Sequence, residues 1–214
     1  MKRIITIFLV LYSIPVWSYL FSSDHSLALN KVVIDPGHGG KDPGNLGTGR
    51  YQSQEKDIAL DVSLKLGAYI KENMSDVEVV YTRDKDVFPK LYERTALANR
   101  EKADLFISIH CDAFTSPKVY GAGTFVLGLH RNADNLRIAQ KENSVIFLEE
   151  NYQSNYEGFD PNNPESVISL VLMQETYLDQ SIEAANTIQR SFVTNLSRKD
   201  RTVKQAGFQV LRET

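Results

Sequence analysis

The stretch Lys31-Val32-Val33-Ile34-Asp35-Pro36-Gly37-His38-Gly39-Gly40-Lys41-Asp42-Pro43-Gly44 decides how the rest of the chain is read. Its β-branched opening, Lys31–Ile34, predicts a short buried strand. The glycine-rich segment from Asp35 to Tyr51, with Pro36 and Pro43, cannot continue that strand and reads as an irregular loop. Gln54 to about Asn73 then turns helical, with Ile58, Val62, Leu66 and Tyr69 or Ile70 recurring on one face and Ser53 as the expected N-cap. Val77–Tyr81 is a second strand, and Phe88 to about Lys102 a second helix with Leu91, Thr95 and Ala98 on one face. Asp104–Ile109 is a third strand closed by His110, and Gly123–Leu127 a fourth. Strand, helix, strand, helix, strand predicts an α/β fold: a mostly parallel twisted sheet, helices on both faces, and a site at the carboxyl edge of the strands. Beyond it, Arg131–Glu150 reads as a helix and Gln153–Pro164 as an exposed loop. Glu165 to about Ser197 reads as one long helix or two in series, with a core face of Val171, Leu178, Ile182, Ala185, Ile188 or Gln189, Phe192 and Leu196. Gly207–Leu211 reads as a last strand.

The composition bounds the function. At 214 residues, 42% hydrophobic and 24% charged, the chain suits one domain with a real core, or one domain plus a short extension. Lys+Arg of 24 against Asp+Glu of 27 leaves −3, which argues against a nucleic-acid partner. One cysteine excludes an intrachain disulfide and a cysteine-based zinc cluster. Met1-Lys2-Arg3 followed by the apolar run Ile4–Trp17 predicts a secretory signal peptide over residues 1–23, cleaved near 18–23, with Val16 and Ser18 suited to a cut after Ser18. The run is short for a membrane span and contains Pro15, and the remaining sequence holds no apolar run long enough to cross. The expected mature protein therefore lies in the periplasm or outside the cell.

Three residues fall on the carboxyl rim of the expected sheet: His38 in the loop after the first strand, Glu55 in the first turn of the first helix, and His110 at the end of the third strand. Glu55 shares a helical face with Ile58 and Val62, which turns it toward the sheet. Two imidazoles and a carboxylate form a typical catalytic zinc set with a fourth position left open. Taken singly, each has a plainer explanation: a loop histidine, a structural histidine at a strand end, a favourable acid at a helix N-terminus. Gly37-His38-Gly39-Gly40-Lys41 does not fit a phosphate-binding loop, because Asp42 stands where Ser or Thr is required.

The quoted opening stretch resembles the first motif of the zinc-dependent N-acetylmuramoyl-L-alanine amidases of the amidase-3 family. Glu55-Lys56-Asp57, Thr82-Arg83, Ala103-Asp104-Leu105-Phe106-Ile107-Ser108-Ile109-His110, and Lys204 to Phe208 with Leu211-Arg212 resemble later segments of the same family, so the likeness runs from Lys31 to Thr214. It implies one Zn2+ per chain on His38, Glu55 and His110. It also implies peptidoglycan as substrate, cut at the amide between N-acetylmuramic acid and the L-alanine of the peptide stem, in cell-wall remodelling and daughter-cell separation. In the family a further Glu moves the proton from water to the leaving amine. The matching strand falls beyond Thr214, and Glu213 is misplaced in the motif. The expectation is therefore a catalytic domain over 31–214 that lacks its final strand, with an inactive zinc- or peptidoglycan-binding fragment as the alternative function. Asp112 stands where the family commonly has Asn and is a candidate for substrate binding. Cys111, adjacent to His110 on a strand, points away from it and is expected to be packed, not a nucleophile. Residues 131–177 resemble an insertion that covers the zinc cleft until an activator protein moves it. Glu142, Glu149 and Glu150 are the candidate carboxylates for the open zinc position, each of them otherwise a solvated helix charge.

Overall fold

The computed structural model describes residues 29–47, 52–112, 116, 118–128, 133–163, 165–166, 177–212 and 214. The expected signal peptide, Glu213, and the part of the long helix at 167–176 lie outside the described residues. Three parallel strands form the first sheet, in the order β2 (Glu78–Tyr81), β1 (Lys31–Pro36), β3 (Leu105–Ile109). Val33 pairs with Val80 on one side and with Phe106 on the other. As the central strand, β1 is covered on both faces, which explains its unbroken apolar run: Val32, Val33 and Ile34 are all buried. Helix α1 (Glu55–Asn73) connects β1 to β2, and α2 (Leu91–Glu101) connects β2 to β3. A second sheet pairs β4 (Ala122–Leu127) with β5 (Asp200–Ala206), also in parallel.

β1 to β4 and the first two helices fall where the sequence places them, whereas β5 lies in a stretch left unassigned, and the buried face of α1 is rotated from the expected one. Glu55, Ala59, Ser63, Gly67 and Ile70 face the sheet, while Ile58 and Val62 are 38% and 43% exposed. The small side chains bring the helix close to the strands, and Glu55 stays on the buried face. Nor is Ser53 the cap. Gln54 occupies that position with no side-chain hydrogen bond, and the loop carbonyls of Asn45 and Pro43 instead receive the amides of Glu55 (2.9 Å) and Lys56 (3.2 Å). The first turn of α1 is thus tied to the loop that carries His38.

Three further differences concern the second half. Arg131–Glu150 is α3 (Ala133–Asn143) followed by a 3-10 segment, Ser144–Leu148, and a single-turn helix α4 (Tyr152–Asn155) stands in the expected loop. The long helix is α5 (Leu178–Thr194), held to the β4–β5 sheet by Ala185 and Gln189, so Gln189 and not Ile188 is the buried choice. Its amide donates to the Ala122 carbonyl (2.9 Å) and Asp200 (2.6 Å) and accepts from Thr124 (3.0 Å). Gly207–Leu211 is not a strand: Gln209–Leu211 forms a 3-10 turn. Its backbone is satisfied by a side chain, because Asn143 donates to the Gly207 carbonyl (2.8 Å) and accepts from the Gln209 amide (2.7 Å). Phe208 and Val210 join Leu91, Ile138, Ala139, Ile146, Tyr156, Phe159 and Ala206 in one buried cluster. A separate cluster of Val32, Ile34, Ile70, Val77 and Val79 lies between α1 and the first sheet.

Candidate metal centre

The loop after β1 is held by buried charge. Asp35 is fully buried and accepts from Arg94 Nη1 (2.7 Å), Thr82 Oγ1 (2.5 Å) and Ser108 Oγ (2.6 Å). Burial alone would raise its pKa, but the Arg94 guanidinium and the two hydroxyls outweigh burial and hold it below the ordinary carboxylate value. Arg94 also donates to the carbonyls of Pro36 (2.9 Å) and His38 (2.9 Å), and Arg83 to those of Pro36 (2.9 Å) and Gly37 (2.7 Å). With its carbonyls fixed by two guanidiniums, the chain enters the left-handed region at His38 (φ 61°), a conformation that costs free energy in a residue with a Cβ. Two glycines permit the packing around it. A Cβ at Gly37 would lie 2.5 Å from the His110 ring, and one at Gly44 would lie 2.6 Å from His38 Cδ2 and 2.8 Å from Glu55 Cβ.

His38, Glu55 and His110 converge, and Glu142 from α3 joins them; one ligand atom from each lies within 4.8 Å of the others. His38 Nε2 is 3.2 Å from Glu55 Oε1, 3.3 Å from Glu142 Oε2 and 3.1 Å from His110 Nδ1. His110 Nδ1 is 3.4 Å from Glu55 Oε1 and 3.0 Å from Glu142 Oε2. A tetrahedral zinc ion with ligands at its usual bond lengths needs edges of about 3.3 Å, so these separations fit one cation at the centre. Glu142 Oε2 is buried and takes no hydrogen bond, as an atom reserved for a metal would be.

The surrounding contacts orient the donors. His38 Nδ1 lies 2.7 Å from Asp42 Oδ2; the carboxylate only accepts, so Nδ1 carries the hydrogen and Nε2 faces the cluster. Glu55 Oε1 accepts from the Cys111 amide (2.6 Å), and Oε2 from the Asn45 amide (3.0 Å) and side chain (2.5 Å). Burial disfavours the imidazolium at both histidines. Asp42, Glu142 and Glu55 outweigh it at His38, and Glu142 and Glu55 at His110, so both titrate above the ordinary imidazole value. Burial opposes ionisation of Glu55 and Glu142 as well, but the two imidazoles hold both below the ordinary carboxylate value. The carboxylates of Glu55 and Glu142 thus face the two imidazoles across one point, a mixed nitrogen and oxygen donor set that suits Zn2+.

The remaining sequence candidates lie elsewhere. Glu149 is buried away from the cluster, accepting from the Leu91 amide (3.0 Å) and from Tyr156 Oη (2.8 Å), so it anchors the insertion on the N-terminus of α2. Glu150 is exposed. Asp112 is exposed two residues beyond His110. Cys111 is half-buried, and burial with the nearby Glu55 charge pushes its thiol up to about 11, which suits a packed thiol and not a nucleophile. The sequence reading missed Asp42, Asn45 and Arg94. A carboxylate four residues after a loop histidine, and a cation among Leu91, Thr95 and Ala98 on one helix face, were the available signals for Asp42 and Arg94.

A parallel α/β domain whose carboxyl edge gathers two imidazoles and two carboxylates around one point is a candidate metallohydrolase. The sequence pattern of the N-acetylmuramoyl-L-alanine amidase family, Amidase_3, matches residues 32–214, and the chain belongs to that family. It is 32% identical over 184 residues to the N-acetylmuramoyl-L-alanine amidase AmiA of Salmonella typhimurium, which covers 85% of this chain and 60% of that protein. It is 43% identical over 96 residues to AmiC of Escherichia coli O6:H1, covering 45% of this chain and 22% of that protein. The chain thus spans less than two thirds of each of these curated relatives. Among solved structures it is similar to an N-acetylmuramoyl-L-alanine amidase from Clostridium difficile 630, with a TM-score of 0.58 and 25% identity over 86% of this chain and 73% of that one.

Proposed function

We propose that this chain is a zinc-dependent hydrolase of the cell envelope, cleaving the amide between N-acetylmuramic acid and L-alanine in peptidoglycan, and that the conformation described is its closed form. The observation that carries this reading is the four-cornered cluster. His38, Glu55 and His110 would hold the ion, and Glu142 occupies the fourth corner, where substrate and water have to enter. Zinc bound there supplies Lewis-acid polarisation of an amide carbonyl and acidifies water.

Other residues of the chain hold these donors in place. Asp42 keeps the hydrogen on His38 Nδ1 and so aims Nε2 inward. The Cys111 amide and Asn45 fix the Glu55 carboxylate. The two guanidiniums keep the His38 loop from relaxing away from the other donors. Asp112, exposed beyond His110, would meet the peptide stem. On this reading residues 131–177 regulate the site, and an activator protein would act by withdrawing Glu142. Among the described residues no helix is long and apolar enough to cross a membrane; an exported protein released by signal cleavage fits this reading.

The test is zinc content by elemental analysis together with dye release from labelled sacculi. Glu142→Ala should retain near-stoichiometric zinc and, in a version extended to carry the proton-transferring Glu, raise basal dye release about tenfold or more. In that version, zinc-loaded Glu142→Ala that binds sacculi and releases no dye would overturn hydrolysis in favour of a peptidoglycan-binding role. His38→Ala that keeps a full complement of tightly bound zinc would overturn the metal assignment.

A further inference from the structure

Asn45 is the polar side chain that joins all three parts of the centre. One of its amide hydrogens goes to Glu55 Oε2 (2.5 Å) and the other to the Cys111 carbonyl (2.7 Å), at the end of the strand that delivers His110. Both neighbours are acceptors only, so the amide cannot flip: its nitrogen must face them and Oδ1 must face away. Oδ1 accepts from Lys141 Nζ, the residue before Glu142 on α3. The backbone amide of Asn45 also donates to Glu55 Oε2 (3.0 Å), and its carbonyl receives the Glu55 amide (2.9 Å). One residue therefore holds Glu55 at its carboxylate Oε2 and at its backbone amide, and spans the rim from α1 to β3. Its remaining acceptor is taken by the segment that carries the fourth donor.

We infer that Asn45 is a positioning residue that tightens metal binding through Glu55, and that Lys141 makes this tightening depend on α3 being docked. The inference deepens the proposed zinc reading and rests on it. Residues that orient a ligand without touching the metal commonly set tenfold to a hundredfold of metal affinity. Asn45 does so with charge-neutral donors on Oε2, while Oε1, steadied by the Cys111 amide, faces the two imidazoles. Lys141 polarises the same amide from the far side, which strengthens its donation toward Glu55. When α3 shifts far enough to withdraw Glu142, the Lys141 contact leaves with it. The open form should then hold zinc more loosely than loss of one carboxylate alone would require, and by linkage zinc favours the docked form.

The experiment is zinc affinity by competition with a fluorescent chelator, on the full chain, with the thermal midpoint of the metal-free protein measured in parallel. Asn45→Ala should weaken zinc binding by about 10- to 100-fold while shifting the metal-free midpoint little. Asn45→Leu, which keeps the shape and removes the polar atoms, should match it, so that a packing defect in one variant cannot carry the result. Lys141→Met should weaken zinc by a smaller factor, and the double variant Asn45→Ala/Lys141→Met should be no weaker than Asn45→Ala alone, because Lys141 acts through Asn45. Wild-type affinity in both Asn45 variants, or factors that multiply in the double variant, would overturn the inference while leaving the metal assignment intact. Failure of the wild-type chain to bind zinc would instead remove the reading beneath it.

Discussion

The two halves of this molecule deliver ligands to one point by different means. The β1–α1–β3 half contributes three donors from a loop, a helix start and a strand end, and it holds them with buried charge: Asp35, Arg94 and Arg83 fix the backbone on which His38 sits. The insertion half contributes one donor, Glu142, from a helix held by apolar burial, with Ile138 at 4% and Ala139 and Ile146 at 0% exposure. A segment that is to release its ligand would be expected to sit loosely on the surface. This one supplies part of a hydrophobic cluster shared with α2, β5 and the 3-10 turn after it. The difference teaches that α3 is not a flap. Removing residues 131–177 outright would expose Phe208, Val210 and Leu91, so an increase in activity after deletion would be confounded by loss of the core. On the proposed closed-form reading, withdrawal of Glu142 would be a rotation or shift of α3 within its packing, which makes point substitutions the informative probes.

The comparison is broken most directly by removing one charge from the first half. Arg94→Ala leaves Asp35 buried without its cation, and should lower stability by about 3–5 kcal/mol in urea unfolding; a change below 1 kcal/mol would show that the hydroxyls of Thr82 and Ser108 suffice. In the second half, Ile146→Ala should lower stability by about 2–4 kcal/mol, the ordinary result for a fully buried aliphatic side chain. If α3 and its 3-10 continuation behaved as an independent lid, the same substitution would leave the global transition unmoved and only loosen local amide exchange.

How much of this was legible in the sequence follows the same division. The first half could be read because its signals are local: a β-branched run, a glycine-rich stop and helical spacing place His38, Glu55 and His110 on one rim without knowledge of any contact. What could not be read there was the face of α1. Ile58 and Val62 have the expected period but stay exposed, and the small residues Ala59, Ser63 and Gly67 take the buried side because close approach to the sheet matters more than side-chain hydropathy. The second half was less legible because its structure is set by long-range partners. Gly207–Leu211 has the composition of a strand, yet the Gly207 carbonyl and the Gln209 amide go to Asn143, more than sixty positions away. Glu142 and Glu149 stand on either side of the apolar run Val145–Leu148, and nothing local tells them apart. Only the three-dimensional path sends one to the candidate metal cluster and the other to the start of α2.

The smallest effect is the most discriminating, because the two halves should respond to pH with opposite sign. Asp35 has a folded pKa depressed by Arg94 and the two hydroxyls against the opposing effect of burial. Its contribution is present above the unfolded carboxylate value and lost as pH falls through the folded one. Glu149 has a folded pKa raised by burial, against the opposing bonds from the Leu91 amide and Tyr156. Its contribution is fully present below the unfolded value and is lost as pH rises through the folded one. Urea midpoints measured from acid to neutral pH should therefore show the Asp35→Asn variant with a flatter acid limb than wild type, beneath a large uniform loss. Glu149→Gln keeps an acceptor for both of its donors and should cost no more than about 1 kcal/mol. It should remove a shallow decline on the alkaline side of the ordinary carboxylate range. Both variants flattening the same limb would mean that the insertion is anchored, like the His38 loop, by an ionised carboxylate, and the contrast between the halves would reduce to one of packing alone.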